Sequence, residues 1–414
     1  IACFLKNLIS SLDFIMQRIP LIDISPLFQY PSEKDSVASV SKAIADACTG
    51  MGFFYCTGHG MSDAQISEAI GAARSLFELD MQQKQAMNSL NSPLRRGYTP
   101  QGGQHNCNPS ENSKACMPDA KESYVLGAGP DMPKPPKNPV AEAAMNSCPT
   151  KAEDSNVPDQ RPADQQGQAQ GTGRELQGQQ QNDQEPADAQ SPMHGSNQLP
   201  PESVLPGFQG IMRSYWQQLL GVSQVLALGL AKSLDLPDSF FVSKMQDPVA
   251  QMLCVRYNMQ APPPSSGATH ATAATQAPAG PDLGSGSDDR LLGCGTHTDC
   301  GFMTLLCSDG EGLEVCTPQG TWVAAPVIPG ALLVNLGDMA AMWTNGRYRS
   351  TPHRVLLPRI PSSSSTSHAP SRVSLVFFCN CDFYAPVRAI ESSNSEEGTT
   401  AGRYMLEKLG LMYK

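Results

Sequence analysis

From Asp289 onward the chain breaks into short apolar runs set apart by Gly, Pro and Asn: FMTLLC, GLEVCT, TWVAAP, ALLVNL, HRVLLP and RVSLVFFCN. Each run is too short for an ordinary helix and is bounded by turn formers, so each predicts a β-strand. Short strands at such regular spacing bury their apolar faces by stacking or closing on one another. A β-sandwich or barrel follows.

The rest of the chain flanks that core. RIPLIDISPLF (18–28) predicts a strand and a Ser-Pro turn. Residues 36–48 carry apolar side chains at helical spacing, and GFFYCTGHGM (52–61) predicts a buried strand ended by a Gly-rich turn. Ser62 and Asp63 then cap a helix carrying Ile66, Ile70, Ala73, Phe77 and Met81. A long helix is predicted from Phe208 to Leu234, with Pro237 beyond its end. The stretch RPADQQGQAQGTGRELQGQQQNDQEPADAQ has almost no large apolar residue and cannot offset the entropy of ordering itself. The expected organisation is an N-terminal helical and strand region (1–130), a disordered Pro/Gln-rich insertion (131–200), the long helix with a first core strand (201–260), a second disordered insertion (261–290), the β core (291–390) and a C-terminal helix (391–414). A small third insertion, PSSSSTSHAPS, lies within the core. Surface loops tolerate such lengthening because closure entropy grows slowly with length.

Composition narrows the partners. The formal net charge is −10 with no Lys/Arg-rich run, which argues against nucleic acid or an anionic membrane. The 13 cysteines form no CxxC pair, so reduced thiols in a cytoplasmic compartment are expected. The opening IACFLKNLISSLDFIMQ is mildly amphipathic, which leaves an organellar transit peptide open. No stretch approaches the roughly 20 apolar residues that span a bilayer.

The chemistry concentrates in GCGTHTDCGFMTLL (293–306). Side chains two apart on a strand share a face, so His297 and Asp299 can reach one ion, and His353 in TPHRVLLP supplies a third ligand from another strand. Two histidines and a carboxylate leave positions open on the metal, as in non-haem Fe(II) oxygenases, whereas zinc favours a closed tetrahedron. A surface turn or a buried hydrogen-bonded pair are the plainer alternatives for H-x-D alone. Downstream, Arg372 and Ser374 are again two apart, on a strand continuing as the apolar LVFFCN. A buried arginine needs an anion, and its planar fork matches a carboxylate.

H-T-D, His353 and R-x-S together resemble the Fe(II)- and 2-oxoglutarate-dependent dioxygenases of the isopenicillin N synthase-like superfamily. RIPLIDISPL, GFFYCTGHGM, RRGYTP, KESYVLG, LPGF, VNLGDMAAMWTNGRYRSTPHRV and TAGRYMLEKL look like that family's blocks, in its order. The resemblance implies a mainly β fold with flanking α-helices around a double-stranded β-helix, or jelly-roll, core. It implies His297, Asp299 and His353 as Fe(II) ligands and catalytic centre. Arg372 and Ser374 would bind the distal carboxylate of 2-oxoglutarate, and Tyr257 in LCVRYN would bond the co-substrate. Dioxygen is the further reactant and ascorbate the reductant. The expected enzyme is a monomer that oxidises a small organic molecule. The alternatives are a 2-oxoglutarate-independent iron oxidase of the isopenicillin N synthase type and a catalytically silent scaffold. Further expectations are structural roles for His59, Asn335, Asp338 and Trp343, a tight hairpin at Asn345-Gly346, and solvated His194, His270 and His368. Cys300 is read as pocket wall, and Tyr98 and His105 as lining the substrate mouth.

Overall fold

A computed structural model of the chain describes residues 18–103, 121–146, 191–258, 292–357, 371–390 and 398–412. In chain order its regular elements begin with β1 (Leu21–Asp23), α1 (Lys34–Gly50), β2 (Phe53–Thr57), α2 (Asp63–Glu78), α3 (Met81–Ala86), β3 (Gly97–Thr99), β4 (Lys121–Gly127) and α4 (Pro139–Asn146). Helix α5 (Phe208–Ser233) and strand β5 (Pro248–Asn258) lead into β6 (Leu292–His297), β7 (Met303–Ser308), β8 (Leu313–Cys316), β9 (Trp322–Ala324) and β10 (Leu332–Leu336). Then come α6 (Asp338–Trp343), β11 (His353–Leu356), β12 (Ser371–Asp382), the short pair β13 (Pro386–Val387) and β14 (Thr399–Thr400), and α7 (Ala401–Met412). All six runs predicted as strands after Asp289 are strands.

Two sheets carry the fold. The larger has the order β1-β2-β10-β7-β12-β5-β4-β3 and the smaller β6-β11-β8-β9. From β6 onward the chain passes back and forth between them: β6 lies in the small sheet, β7 in the large, β8 and β9 in the small, β10 in the large, β11 in the small and β12 in the large. That alternation makes the jelly roll. The period of two along each strand divides the core into two layers. Phe54, Cys56, Met252, Cys254, Leu332 and Val334 face the helices, while Phe53, Tyr55, Val255, Tyr257 and Leu333 face Leu313, Val315 and Val355 of the small sheet. Because both faces of the large sheet are covered, its strands read as continuous apolar runs and not as alternation.

Helix α5 packs between this sheet and α1 and α2, and its second half is buried all round, from Val222 to Ala231. Ser62 caps α2 as expected, through a capping box with Gln65. The helix stops at Glu78, short of Met81, because Asp80 caps a new one, α3.

The 131–200 tract departs from expectation at both ends. Helix α4 buries Val140, Ala141 and Ala144, and Met193 is buried as well. The Arg96 guanidinium donates to the carbonyls of Ala128 at 2.8 Å and Met193 at 2.7 Å, and also to that of Gly195. Asn197 bonds Gly127 and Asp131. The apolar residues of PVAEAAM and SPM supply what the Gln-rich middle lacks; residues 147–190 lie outside the described residues, as do the interiors of the other two insertions, His105, His270 and His368. His194, expected in solvent, is buried 3.9 Å from Asp247. Asn345 and Gly346 both take positive φ, 48° and 78°, but they end α6 and do not join two strands. Among the described residues, no helix is long and apolar enough to cross a membrane.

Candidate metal centre

His297 ends β6 and His353 begins β11, and the two are register partners, with ring centroids 4.3 Å apart. Asp299 reaches them by a different route from the one strand alternation suggests. It lies beyond the end of β6, in the link to β7, and that link is tied to the start of α6. Its carbonyl accepts from the Asp338 N–H at 2.7 Å, and the Gly301 carbonyl accepts from Met339 at 3.1 Å. Glycine is required where these segments cross. A Cβ on Gly337 would stand 2.3 Å from the Gly301 carbonyl oxygen, and one on Gly301 would stand 2.1 Å from Asn380 Oδ1.

The two carboxylate oxygens of Asp299 have separate environments. Oδ1 lies 3.7 Å from His353 Nε2 and 3.9 Å from His297 Nε2. Oδ2 accepts from Thr304 Oγ1 at 2.6 Å and from Asn335 Nδ2 at 2.8 Å. The rings are oriented from behind: His297 Nδ1 is 2.8 Å from the Gly295 carbonyl and His353 Nδ1 is 3.1 Å from that of Thr351. Those carbonyls can only accept, so each Nδ1 carries its proton and Nε2 is the nitrogen left on the side of Oδ1, able to coordinate once it bears no proton of its own. Phe53 meets the His353 ring edge-on at 5.4 Å.

Two ligands each about 2.1 Å from one ion lie at most about 4.2 Å apart. The Oδ1–Nε2 separations satisfy that bound, and one donor atom from each residue lies within 4.8 Å of the others. These side chains therefore fit a divalent cation.

The electrostatics agree. Burial works to raise the Asp299 carboxyl, but the two imidazoles and the Asn335 and Thr304 bonds outweigh it and hold it below the usual carboxylate range. Burial and the neighbouring His297 push His353 down to about 4, which keeps it neutral and able to coordinate. Burial acts to lower His297 too, yet the Cys294 sulfur and the Asp299 carboxylate raise it to about 9. The cluster attracts positive charge, a proton or a metal ion.

Arg372, Ser374 and Tyr257 form a second group. Arg372 and Tyr257 are register partners on β12 and β5, and the guanidinium carbon stands 5.1 Å from the centre of the tyrosine ring. Arg372 is buried; Nε donates to the Gly310 carbonyl at 2.8 Å while Nη1 has no hydrogen-bond partner. Ser374, buried one inward-facing position along, sits with Oγ 3.3 Å from Ser308 Oγ. An unpartnered buried guanidinium nitrogen, with a serine hydroxyl two residues along on the same strand face, is a donor set that a carboxylate would satisfy.

Other expectations divide. His59 is structural, with Nε2 3.0 Å from the Gly330 carbonyl. Trp343 packs against Phe241 and Phe302. Cys300, read as pocket wall, instead packs against Met405 of α7, sulfur to sulfur at 3.6 Å. Tyr98, read as lining the substrate mouth, is buried on the helix-covered side and bonds Glu122 at 2.7 Å. Thr304 was missed: a hydroxyl inside FMTLLC was its only signal, and nothing in sequence links it to Asp299.

Comparison with known proteins follows the same line. Two family models match: non-haem dioxygenase in morphine synthesis N-terminal, over residues 19–151, and the 2OG-Fe(II) oxygenase superfamily, over residues 254–380. The 2-oxoglutarate-Fe(II) type oxidoreductase ppzC of Metarhizium majus (strain ARSEF 297) is 30% identical over 93% of this chain and 83% of its own. The 2-oxoglutarate-dependent dioxygenase citB of Monascus ruber is 30% identical over 95% of both chains. Among solved structures, a full-length Neurospora crassa protein in complex with alpha-KG superposes with a TM-score of 0.64 at 22% identity, covering 95% of this chain and 96% of that one. At that identity the likeness speaks for the fold.

Proposed function

The chain belongs to the 2OG-Fe(II) oxygenase superfamily, and from that premise we propose that His297, Asp299 and His353 hold its iron and that Arg372, Ser374 and Tyr257 hold its 2-oxoglutarate. The protein is an Fe(II)- and 2-oxoglutarate-dependent oxidoreductase acting on a small organic molecule. Iron, 2-oxoglutarate and dioxygen together supply the oxidising chemistry, in which decarboxylation of the keto acid to succinate accompanies oxidation of the organic substrate.

The protein's part is placement. The Gly295 and Thr351 carbonyls keep both histidines in the tautomer that offers Nε2. Thr304 and Asn335 occupy Asp299 Oδ2, so the carboxylate offers Oδ1 alone. Held through one atom from each of these three residues, an ion would keep room for the keto acid and dioxygen. Arg372 brings a fixed positive charge, and Ser374 a hydroxyl, to where the distal carboxylate would lie. Phe53, Val255, Leu313, Val315 and Val355 wall the space between the sheets with apolar surface, which strengthens each of these interactions.

The observation that carries the reading is the convergence of Oδ1 and two Nε2 atoms from separate segments, together with an unsatisfied guanidinium nitrogen on β12, whose register partner Tyr257 faces the small sheet. Membership of the isopenicillin N synthase-like branch is the finer reading, supported by the order of the sequence blocks. A reducing, cytoplasm-like compartment is supported by the free thiols at Cys48, Cys56, Cys254, Cys307 and Cys379. Purified protein supplied with Fe(II), ascorbate and 2-oxoglutarate should form succinate, most rapidly when a screened small molecule is accepted. Asp299→Ala should abolish both succinate formation and tight iron binding while retaining the fold; a variant that still binds iron as tightly would remove Asp299 from the ligand set.

A further inference from the structure

Asp338, the first residue of α6, is tied to the metal centre by its main chain and to two further segments by its side chain. Its N–H donates to the Asp299 carbonyl at 2.7 Å. Its Oδ1 accepts from Ser350 Oγ at 2.7 Å, in the segment that runs into His353. The carbonyl of the next residue, Thr351, is the one that orients the His353 ring. On the other side, Oδ2 accepts from Tyr404 Oη at 3.1 Å and lies 3.5 Å from Lys408 Nζ. Tyr404 and Lys408 are four apart and so share one side of α7. Met405 of the same helix is buried against the Asp299 link, its sulfur 3.6 Å from Cys300 Sγ. The helix has its own anchors elsewhere: the Ala401 and Gly402 N–H groups donate to the Ala385 and Phe383 carbonyls at 2.9 and 2.8 Å, and a Cβ on Gly402 would stand 2.0 Å from the Phe383 ring.

The link that carries Asp299 is irregular, and α6, with six residues, is too short to hold an orientation by its own hydrogen bonds. The groups gripping Asp338 fix both. A shift of α6 would displace the Asp299 main chain through the 2.7 Å bond, and its carboxylate with it. Such a constellation works only when supporting contacts hold it within about 0.5 Å of its productive geometry. Resting on the reading of Asp299 and His353 as iron ligands, we propose that Asp338 is a positioning residue for the iron site and that α7 holds it there through Tyr404 and Lys408. The C-terminal helix thereby sets how tightly, and in what geometry, the metal is held. One carboxylate joins three parts of the chain: the link bearing Asp299, the approach to His353, and α7.

The test measures Fe(II) binding to the full chain anaerobically by calorimetry, well below the melting temperature, and reads coordination geometry from the visible bands of the Co(II)-loaded protein. Tyr404→Phe combined with Lys408→Met removes both α7 contacts to Asp338 and leaves the anchors at Phe383 and Ala385 in place. That double variant should weaken Fe(II) about threefold to tenfold, the range for one net hydrogen bond, and shift the Co(II) bands. Asp338→Ala should weaken Fe(II) about tenfold or more, as for a lost outer partner. Added to Asp338→Ala, the double substitution should have no further effect, because the path is already cut. Wild-type affinity and bands in the double variant, with or without a lower melting temperature, overturn the proposal. A further loss in the Asp338→Ala background overturns the route through Asp338. Should Asp338→Ala fail to fold, the double variant decides alone. Asp299→Ala separates the two readings: tight iron binding retained there removes the ligand assignment and this proposal with it. Iron lost there, beside an unchanged Tyr404→Phe/Lys408→Met protein, removes this proposal only.

Discussion

At Asp299 two donors, Thr304 and Asn335, compete with any metal for one oxygen of the carboxylate. Their effect is to keep coordination single-atom; a carboxylate free to bind through both oxygens would consume a position the co-substrate needs. Thr304→Val keeps the shape and removes the hydroxyl. It should weaken Fe(II) binding about tenfold or more, the usual cost of losing an outer partner, and Thr304→Ser should restore it. Co(II) substitution gives a second readout, because its visible bands report coordination number; an unchanged spectrum and affinity in Thr304→Val would contradict the argument. The same cluster sets a pH dependence. The proton drawn to His297, raised to about 9, must leave before a metal is bound. Apparent iron affinity should therefore rise with pH up to that value and fall about tenfold per unit below it, as for any single competing proton. A flat profile from pH 6 to 8 in calorimetric titration would count against it.

At the scale of elements, the register of β6 with β11 brings the two histidines together, and the tie between the 299–302 link and α6 brings the carboxylate to them. Strand alternation alone is thus an incomplete reason for His297 and Asp299 to meet, while it does account for the shared face of Arg372 and Ser374 on β12. The ends of the 131–200 tract make a testable contrast. Arg96 pins Met193 and Gly195 beside β4, so Arg96→Leu should destabilise the protein by about 3 kcal/mol, as expected when several charge-assisted bonds are lost from the interior. Thermal melting should show a clear fall. Excising only 147–190 behind a short flexible linker should shift the melt far less, whereas excision extended to 131–198 removes buried Val140, Ala144 and Met193 and should not yield a stable chain.

Across the whole molecule, β1 to β4 extend the same large sheet that carries Tyr257 and Arg372, so the N-terminal region builds the catalytic core's wall and is not a separate unit. Ligand linkage then becomes a global measurement: Fe(II) and 2-oxoglutarate, which bind only the assembled sheets, should together raise the melting temperature. At about a hundredfold excess over Kd each adds about 2.7 kcal/mol. In Arg372→Ala the iron contribution should persist while the 2-oxoglutarate contribution shrinks. A ligand-independent melt in wild type would contradict a preformed site.

Local patterns were enough to read the strands, the main helices and the residue types of the site, because hydrophobic period, capping residues and the spacing of H-x-D and R-x-S are short-range properties. The order of the tract's ends, the burial of His194 and the turn at Asn345 were not readable that way, since each depends on what packs against them. Nor could sequence say that Thr304 and Asn335 would meet Asp299. Pairing between strands distant in sequence fixes those contacts, and a shift of one residue in register would turn every one of those side chains to the other face.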